Sequence, residues 1–175
     1  ELVNGFPTTV EEIFAYDGLI IGSLEAGALT SSQLSLIHAF ADRRGGGVLF
    51  LGGRTSFSEG AWQATEVADI LPVAISSRHD TFVRAPVKVR LTAQGALHDL
   101  TRLDDDPQAN AARWRSLPPI ADFQETGAPK PAALVLLDAL TPRGHQPLLA
   151  VQPFGRGRVA VLATGGTWKW QMLMD

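Results

Sequence analysis

The sequence contains no cysteine. That excludes disulfides, thiolate metal sites and a cysteine nucleophile. It leaves the compartment open, because a cysteine-free chain is compatible with any redox poise. No apolar run reaches the ~18 residues that a membrane-crossing helix needs, so direct membrane insertion of this stretch is not expected. Lys and Arg are few, 15 in 175 residues, and they form no block; the formal net charge is -3. The electrostatic footprint of a nucleic-acid binder is therefore missing. Among the four histidines no pair has HExxH or similar ligand spacing. Neither a metal nor a cofactor is expected. Charged residues make up 19% and hydrophobic residues 45%, an ordinary globular composition that argues against disorder.

The length fits one domain with a real core. The sequence starts at Glu1 and stops at Met174-Asp175, just after an aromatic run; the expectation is a single domain, residues 1–175, cut from a longer protein. Asp17-Gly-Leu-Ile-Ile-Gly22 and Val48-Leu-Phe-Leu51 read as buried strands, short apolar runs bounded by turn residues. Thr8 and Thr9 before Glu11 and Glu12 mark a short helix. Thr30-Ser-Ser-Gln33 opens a longer one, with Leu34, Ile37 and Ala41 on one face, that ends at Arg43-Arg44 before three glycines. A strand–helix–strand unit of this kind predicts a parallel crossover. A further helix is predicted over 60–70, ahead of Pro72, and a half-exposed alternating strand over 83–92. Residues 97–115 read as irregular or short helical structure. Late strands are predicted at 133–137, 148–153 and 159–163, the last two joined by a tight hairpin at Phe154-Gly-Arg-Gly-Arg158. The sum is a mixed sheet covered by helices on both faces.

Several patterns carry candidate chemistry. Gly155-Arg-Gly157-Arg-Val-Ala160 matches the dinucleotide pattern, but that mechanism needs a helix after the glycines to hold the pyrophosphate. Here a strand follows, so a hairpin turn is expected. Asp104-Asp105-Asp106 lacks the spaced acids, Gly and terminal Glu of a calcium loop, and reads as a turn or helix cap. His38 falls on an amphipathic helix and His145 in a hairpin loop. His79-Asp80 can join a Ser/His/Asp constellation, which only geometry decides. Gly52-Gly-Arg-Thr-Ser-Phe57 is the most informative segment. It follows a predicted parallel strand, and ligands in open α/β sheets bind at the carboxyl ends of strands. Gly52 and Gly53 permit close backbone approach, and Arg54 can fix a carboxylate or another anion. Ser56 and Ser58 are nucleophile candidates, although G-x-S-x-G is absent. Thr164, Gly165 and Trp168 follow the last strand and are expected at the same edge. Trp168 and Trp170 can stack on a ligand, but packing is the preferred reading because aromatics bury large apolar areas.

Taken in order, Tyr16-Asp-Gly-Leu-Ile-Ile-Gly22, Leu29-Thr-Ser-Ser-Gln33, Gly45-Gly-Gly-Val-Leu-Phe-Leu-Gly-Gly53 with Ser56-Phe57, Leu71-Pro-Val73, Trp114 with Leu117-Pro118, and Gly155-Arg-Gly157-Arg-Val159 through Thr167-Trp-Lys-Trp170 resemble a class I glutamine amidotransferase-like domain. The kind resembled is the divergent one of large bacterial membrane-associated proteins with von Willebrand factor A modules. The resemblance implies a flavodoxin-like three-layer α/β/α sandwich with a mostly parallel sheet and antiparallel strands toward the C-terminus. An active family member has a Cys on a sharp strand-to-helix turn and a His and an acid after a later strand. That turn falls on Phe50-Leu-Gly-Gly-Arg54, which puts Gly52 at the nucleophile position. The His-x-Glu site falls near Thr164-Gly165-Gly166. Neither nucleophile nor base is present. The expectation is a catalytically inactive domain that binds a small carboxylate, a peptide or a saccharide through Gly52, Gly53, Arg54, Ser56, Thr164, Gly165 and Trp168. Its partners would be neighbouring modules of an envelope-tethered chain. The alternatives are a serine-dependent hydrolase using Ser56 or Ser58, and a purely structural docking domain.

Overall fold

Entry into the first two helices is set by threonine. In the computed structural model, which describes residues 5–173, Thr9 and Thr30 each close a capping box. The Thr9 hydroxyl accepts from Glu12 N at 3.2 Å and the Glu12 carboxylate accepts from Thr9 N at 3.3 Å. Thr30 and Gln33 repeat the exchange. Orphan amides of the first turn are thereby satisfied, and α1 (Val10–Phe14) and α2 (Ser31–Ala39) follow. The Thr8 amide donates to the same Glu12 carboxylate and holds its pKa below the usual value. Helix α2 runs into a π turn over Phe40–Arg44, and Gly45 stops it at φ 82°. Only glycine adopts that left-handed value without penalty, so the predicted cap is met.

The strands are β1 (Gly18–Gly22), β2 (Gly47–Leu51), β3 (Phe82–Val83), β4 (Lys88–Leu91), β5 (Phe123–Gln124), β6 (Leu134–Thr141), β7 (Gly144–Phe154) and β8 (Gly157–Leu162). Six of them form one sheet in the order β1-β2-β8-β7-β6-β4. β1, β2 and β8 are parallel neighbours; β7, β6 and β4 continue antiparallel. The reversal starts at Gly155, where the glycine-rich segment makes the predicted hairpin and no dinucleotide turn. β3 and β5 form a small second sheet. The remaining helices are α3 (Val67–Ile70), α4 (Pro107–Ser116) and α5 (Trp168–Leu173). This is the mixed α/β, flavodoxin-like architecture that the sequence predicts, except that helices are expected on both faces and, among the described residues, the far face of β1, β2, β8 and β7 is left open.

Three expectations needed adjustment. The strand predicted over 83–92 is two strands, β3 and β4, which pair in different sheets. Pro86 between them supplies no amide for a ladder. The helix predicted over 60–70 is a 3-10 turn at Trp62–Ala64 followed by α3. Thr65 between them is extended, and its hydroxyl donates to the Trp62 carbonyl at 2.8 Å, a local bond that competes with helix. His145 lies in β7, opposite Leu140, because the hairpin loop there is only Pro142-Arg143. The termini on which the expectation of an excised domain rests lie outside the described residues.

The main core lies on one face of the sheet. Ile21, Phe50, Val161 and Ala150 are cross-strand neighbours there, and they are buried with Ile13, Ile37, Phe40 and Trp62. Each such side chain contributes about 1.5–3 kcal/mol on leaving water. Phe50 meets Trp62 edge to face at 5.2 Å. The opposite face of β1, β2, β8 and β7 is an open groove of about 860 Å³, with His98 and Leu100 at its rim. No helix among the described residues is long and apolar enough to cross a membrane.

Candidate functional site

The carboxyl ends of β1, β2 and β8 bring three turns together: Gly22-Ser23, Gly52-Gly53-Arg54 and Thr164-Gly165-Gly166. Gly52 N donates to Leu162 O at 2.7 Å. A Cβ built on Gly52 would sit 2.5 Å from both Ala163 C and Thr164 N. Side-chain-bearing residues cannot stand there unless the backbone after β8 moves. The position that the resemblance assigns to a nucleophile is closed by packing as well as lacking a side chain.

The next amide is also engaged. Gly53 N donates to Gln124 Oε1 at 3.2 Å, and Gln124 Nε2 donates to Ser56 O at 2.6 Å. Gln124 is fully buried, and its own amide donates to Ala163 O at 2.8 Å. One side chain from β5 therefore pins both ends of the 53–56 turn. A backbone N–H just after a nucleophile is the donor that an acyl-transfer oxyanion hole uses; here that donor is spent on Gln124.

On the β8 side, Thr164 is buried, and its hydroxyl donates toward Asp122 O at 2.8 Å or Asp122 Oδ1 at 2.9 Å. Asp122 Oδ1 also accepts from Gly165 N at 3.2 Å. Where the family's base and acid would stand, the groups present bond to each other. Trp168 is 54% exposed, and Lys169 lies over its ring at 5.9 Å. Trp170 packs edge to face on Trp114 at 5.8 Å and donates to Pro118 O at 2.9 Å. The packing reading therefore holds for Trp170, while Trp168 remains open.

The serines differ from everything around them. Ser56 and Ser58 are 4% and 1% exposed, and neither hydroxyl has a hydrogen-bond partner among the described residues. No imidazole is bonded to either one. His79 is exposed, His98 Nδ1 accepts from Leu100 N, His38 packs on Phe154, and His145 lies 3.5 Å from Asp138. Ser56 Oγ and the Ser23 hydroxyl both border the space beside Gly53. Ser23 has φ 49°, and Phe57 and Ala61 in the adjoining loop have φ 48° and 57°. Such values cost a non-glycine residue free energy and recur at functional sites. Arg54 is exposed and makes no ion pair among the described residues.

Asp106 accepts from Ala109 N and caps α4, with Pro107 at the first helical position, and Asp104 pairs with Arg113. The acidic triplet is a helix start. Sequence reasoning missed Ser23, Asp122 and Gln124. Ser23 follows a strand end and was open to the same argument as Gly52. Nothing in the sequence ties Gln124 to a loop 71 residues away.

The sequence pattern of a family described as "Putative glutamine amidotransferase" matches residues 1–173. The chain belongs to that family. Among solved structures, this amidotransferase-like domain is similar to the cytoplasmic protein STM3548 of Salmonella typhimurium, at 20% identity and TM-score 0.73. It is also similar to the cytoplasmic protein STM1381 of Salmonella typhimurium LT2, at 24% identity and TM-score 0.74. The match covers 91% of this chain and 65% of each of those chains. The cold-adapted β-galactosidase of Rahnella sp. R3 matches at 14% identity and TM-score 0.56, with 21% of its chain covered. These likenesses concern the fold. No curated protein matches the chain.

Proposed function

We propose that this amidotransferase-like domain binds a ligand without turning it over. The observation that carries the reading is the double closure at the nucleophile turn. Gly52 abuts the Ala163–Thr164 peptide, and the Gly53 amide is held by Gln124. A glutaminase needs a thiolate and free oxyanion donors at that point, and neither is available. What the edge offers instead is hydroxyls and a charge. Ser23 and Ser56 flank Gly53, and among the described residues the Ser56 hydroxyl has no hydrogen-bond partner and the Arg54 guanidinium no ion pair. That set suits a carboxylate: a bidentate guanidinium contact supplies charge and direction, and the hydroxyls orient the rest. The candidate ligands are a free amino acid such as glutamine, a peptide C-terminus, or an acidic saccharide. Within a longer envelope-tethered chain, neighbouring modules would supply or sense that ligand.

The test is titration calorimetry with L-glutamine, a C-terminal-carboxylate tripeptide and glucuronic acid, alongside an ammonia-release assay. Binding by one of the three, lost in Arg54→Ala and weakened in Ser56→Ala, supports the reading. Ammonia release above the blank would overturn the non-catalytic part. Absence of binding by all three would overturn the carboxylate part and leave a docking domain.

A further inference from the structure

Backbone strain and unmet polar groups gather in one loop. Among the described residues, four that are not glycine have positive φ: Ser23 at 49°, Phe57 at 48°, Ala61 at 57° and Asp80 at 60°. That region costs any residue with a Cβ, and a bulky one such as Phe57 is a clear outlier there. Phe57 and Ala61 lie in the loop from Arg54 to Ala61, and the other two belong to segments that hold it. Ser23 Oγ borders Gly53, Ala26 N donates to Gly60 O at 2.8 Å, and Trp62 Nε1 donates to Leu24 O at 2.7 Å. Thr81, just after Asp80, donates to Glu59 Oε1 from its amide at 2.7 Å and from its hydroxyl at 3.0 Å. Residues 56–63 also carry three of the four buried side-chain atoms with no hydrogen-bond partner among the described residues: Ser56 Oγ, Ser58 Oγ and Gln63 Oε1. Buried polar atoms are rarely left so, and strained backbone persists only where its surroundings over-determine it.

We infer that residues 54–61 form a two-state clamp: the closed state is the one described, and in the open state the Ser56 and Ser58 hydroxyls reach solvent at the carboxyl edge. Two clasps hold the closed state. Glu59 takes both Thr81 donors, and Gln124 takes Gly53 N and Ser56 O. Burial of Phe57, 1% exposed, adds to them. Against them stand the positive φ of Phe57 and Ala61 and the two unpartnered hydroxyls, all of which opening relieves. The loop is bounded by glycines that can absorb the change in φ and ψ. Gly53 lies before it, and Gly60 is folded back so closely that an added Cβ would run into Thr55 O. Ser56 is 4% exposed when the loop is closed, so a ligand group that bonds its hydroxyl selects the open state. The inference stands on the loop alone and is independent of the proposed ligand.

The absence of cysteine from this stretch makes the test direct. In the full polypeptide, with any cysteine elsewhere replaced by serine, Ser58→Cys changes one atom at a site 1% exposed. Its rate of labelling by iodoacetamide is compared with that of Val161→Cys in the core of β8, also 1% exposed. The expected rate at Ser58→Cys is at least about a hundredfold higher, because local opening is commoner than global unfolding. Adding Ala61→Gly, which removes the cost of a positive φ from the closed state, should slow that labelling about tenfold. Adding Glu59→Ala, which removes one clasp, should speed it about tenfold. Equal rates at Ser58→Cys and Val161→Cys would overturn the inference. So would a rate that Ala61→Gly leaves unchanged, and this arm uses a variant that favours the described fold. Labelling needs no ligand, so its result is separate from that of the calorimetry.

Discussion

Gln124 and Gly52 decide the chemistry of the carboxyl edge, one by occupying groups and the other by excluding atoms. Gln124→Leu keeps the volume and removes both bonds, leaving the buried Gly53 amide unpaired while Ser56 O keeps the bond from Gly60 N. At about 1–3 kcal/mol for an orphaned buried group, the variant should lose roughly that amount, read as a lower denaturation midpoint at unchanged slope. Gly52→Cys restores the residue type that the family's chemistry calls for. Its Cβ meets the Ala163–Thr164 backbone at 2.5 Å, so it should cost about 1–3 kcal/mol as overpacking does. It should also release no ammonia from glutamine. A stable, active Gly52→Cys would show that the loop after β8 yields easily. That such a closure exists was half legible beforehand: the sequence shows a glycine at the nucleophile position, but the atoms that press on it come from the far end of the chain.

At the scale of elements, local signals worked where the stabilising partner is also local. Both capping boxes were readable because donor and acceptor lie three residues apart. The α1 box has a pH signature. Hydrogen bonds from Thr8, with a further one from Thr9, hold the Glu12 carboxyl below its ordinary 4.5, against a smaller opposing effect of desolvation. A carboxylate with a depressed folded pKa contributes stability that is full above 4.5 and lost as pH falls through the folded value. Melting followed by circular dichroism should show a midpoint that declines in that acid window. The decline should be shallower in Glu12→Gln, which still accepts the bonds but does not titrate. Where the partner is distant the signals failed: no local pattern ties Gln124 to the 53–56 turn that it holds. Trp114 joins α4 to α5 through the Trp170 ring and donates to Thr101 O at 2.7 Å. Trp114→Ala should cost about 3–5 kcal/mol, with near-ultraviolet circular dichroism reporting the loss of the edge-to-face pair.

For the whole molecule, the uneven cover of the sheet is the dominant feature. An apolar face this size on an isolated stretch should drive weak self-association. Ile20→Lys combined with Leu134→Lys replaces two side chains already largely in water, so stability should change by less than about 0.5 kcal/mol. Light scattering of residues 1–175 should fall in the double variant. A large loss of stability instead would mean that this face is packed within the domain itself. The face was present in the sequence as apolar runs without alternation, yet those runs say only that both sides are to be buried, not which side this chain covers.

The sequence by itself determined the fold class, the two parallel strand ends that lead into glycines, the hairpin at Gly155, the helix caps, and the absence of a thiol. Each is set by backbone sterics, by the period of the apolar residues, or by bonds spanning a few positions. Only the tertiary structure decided that Gly52 is walled in by Ala163 and Thr164, that Gln124 takes the Gly53 amide, and that, among the described residues, Ser56 and Ser58 have no partners and one face of the sheet lies open. Those outcomes depend on which distant residues meet, and contact between positions 71 apart leaves no periodicity or spacing to read.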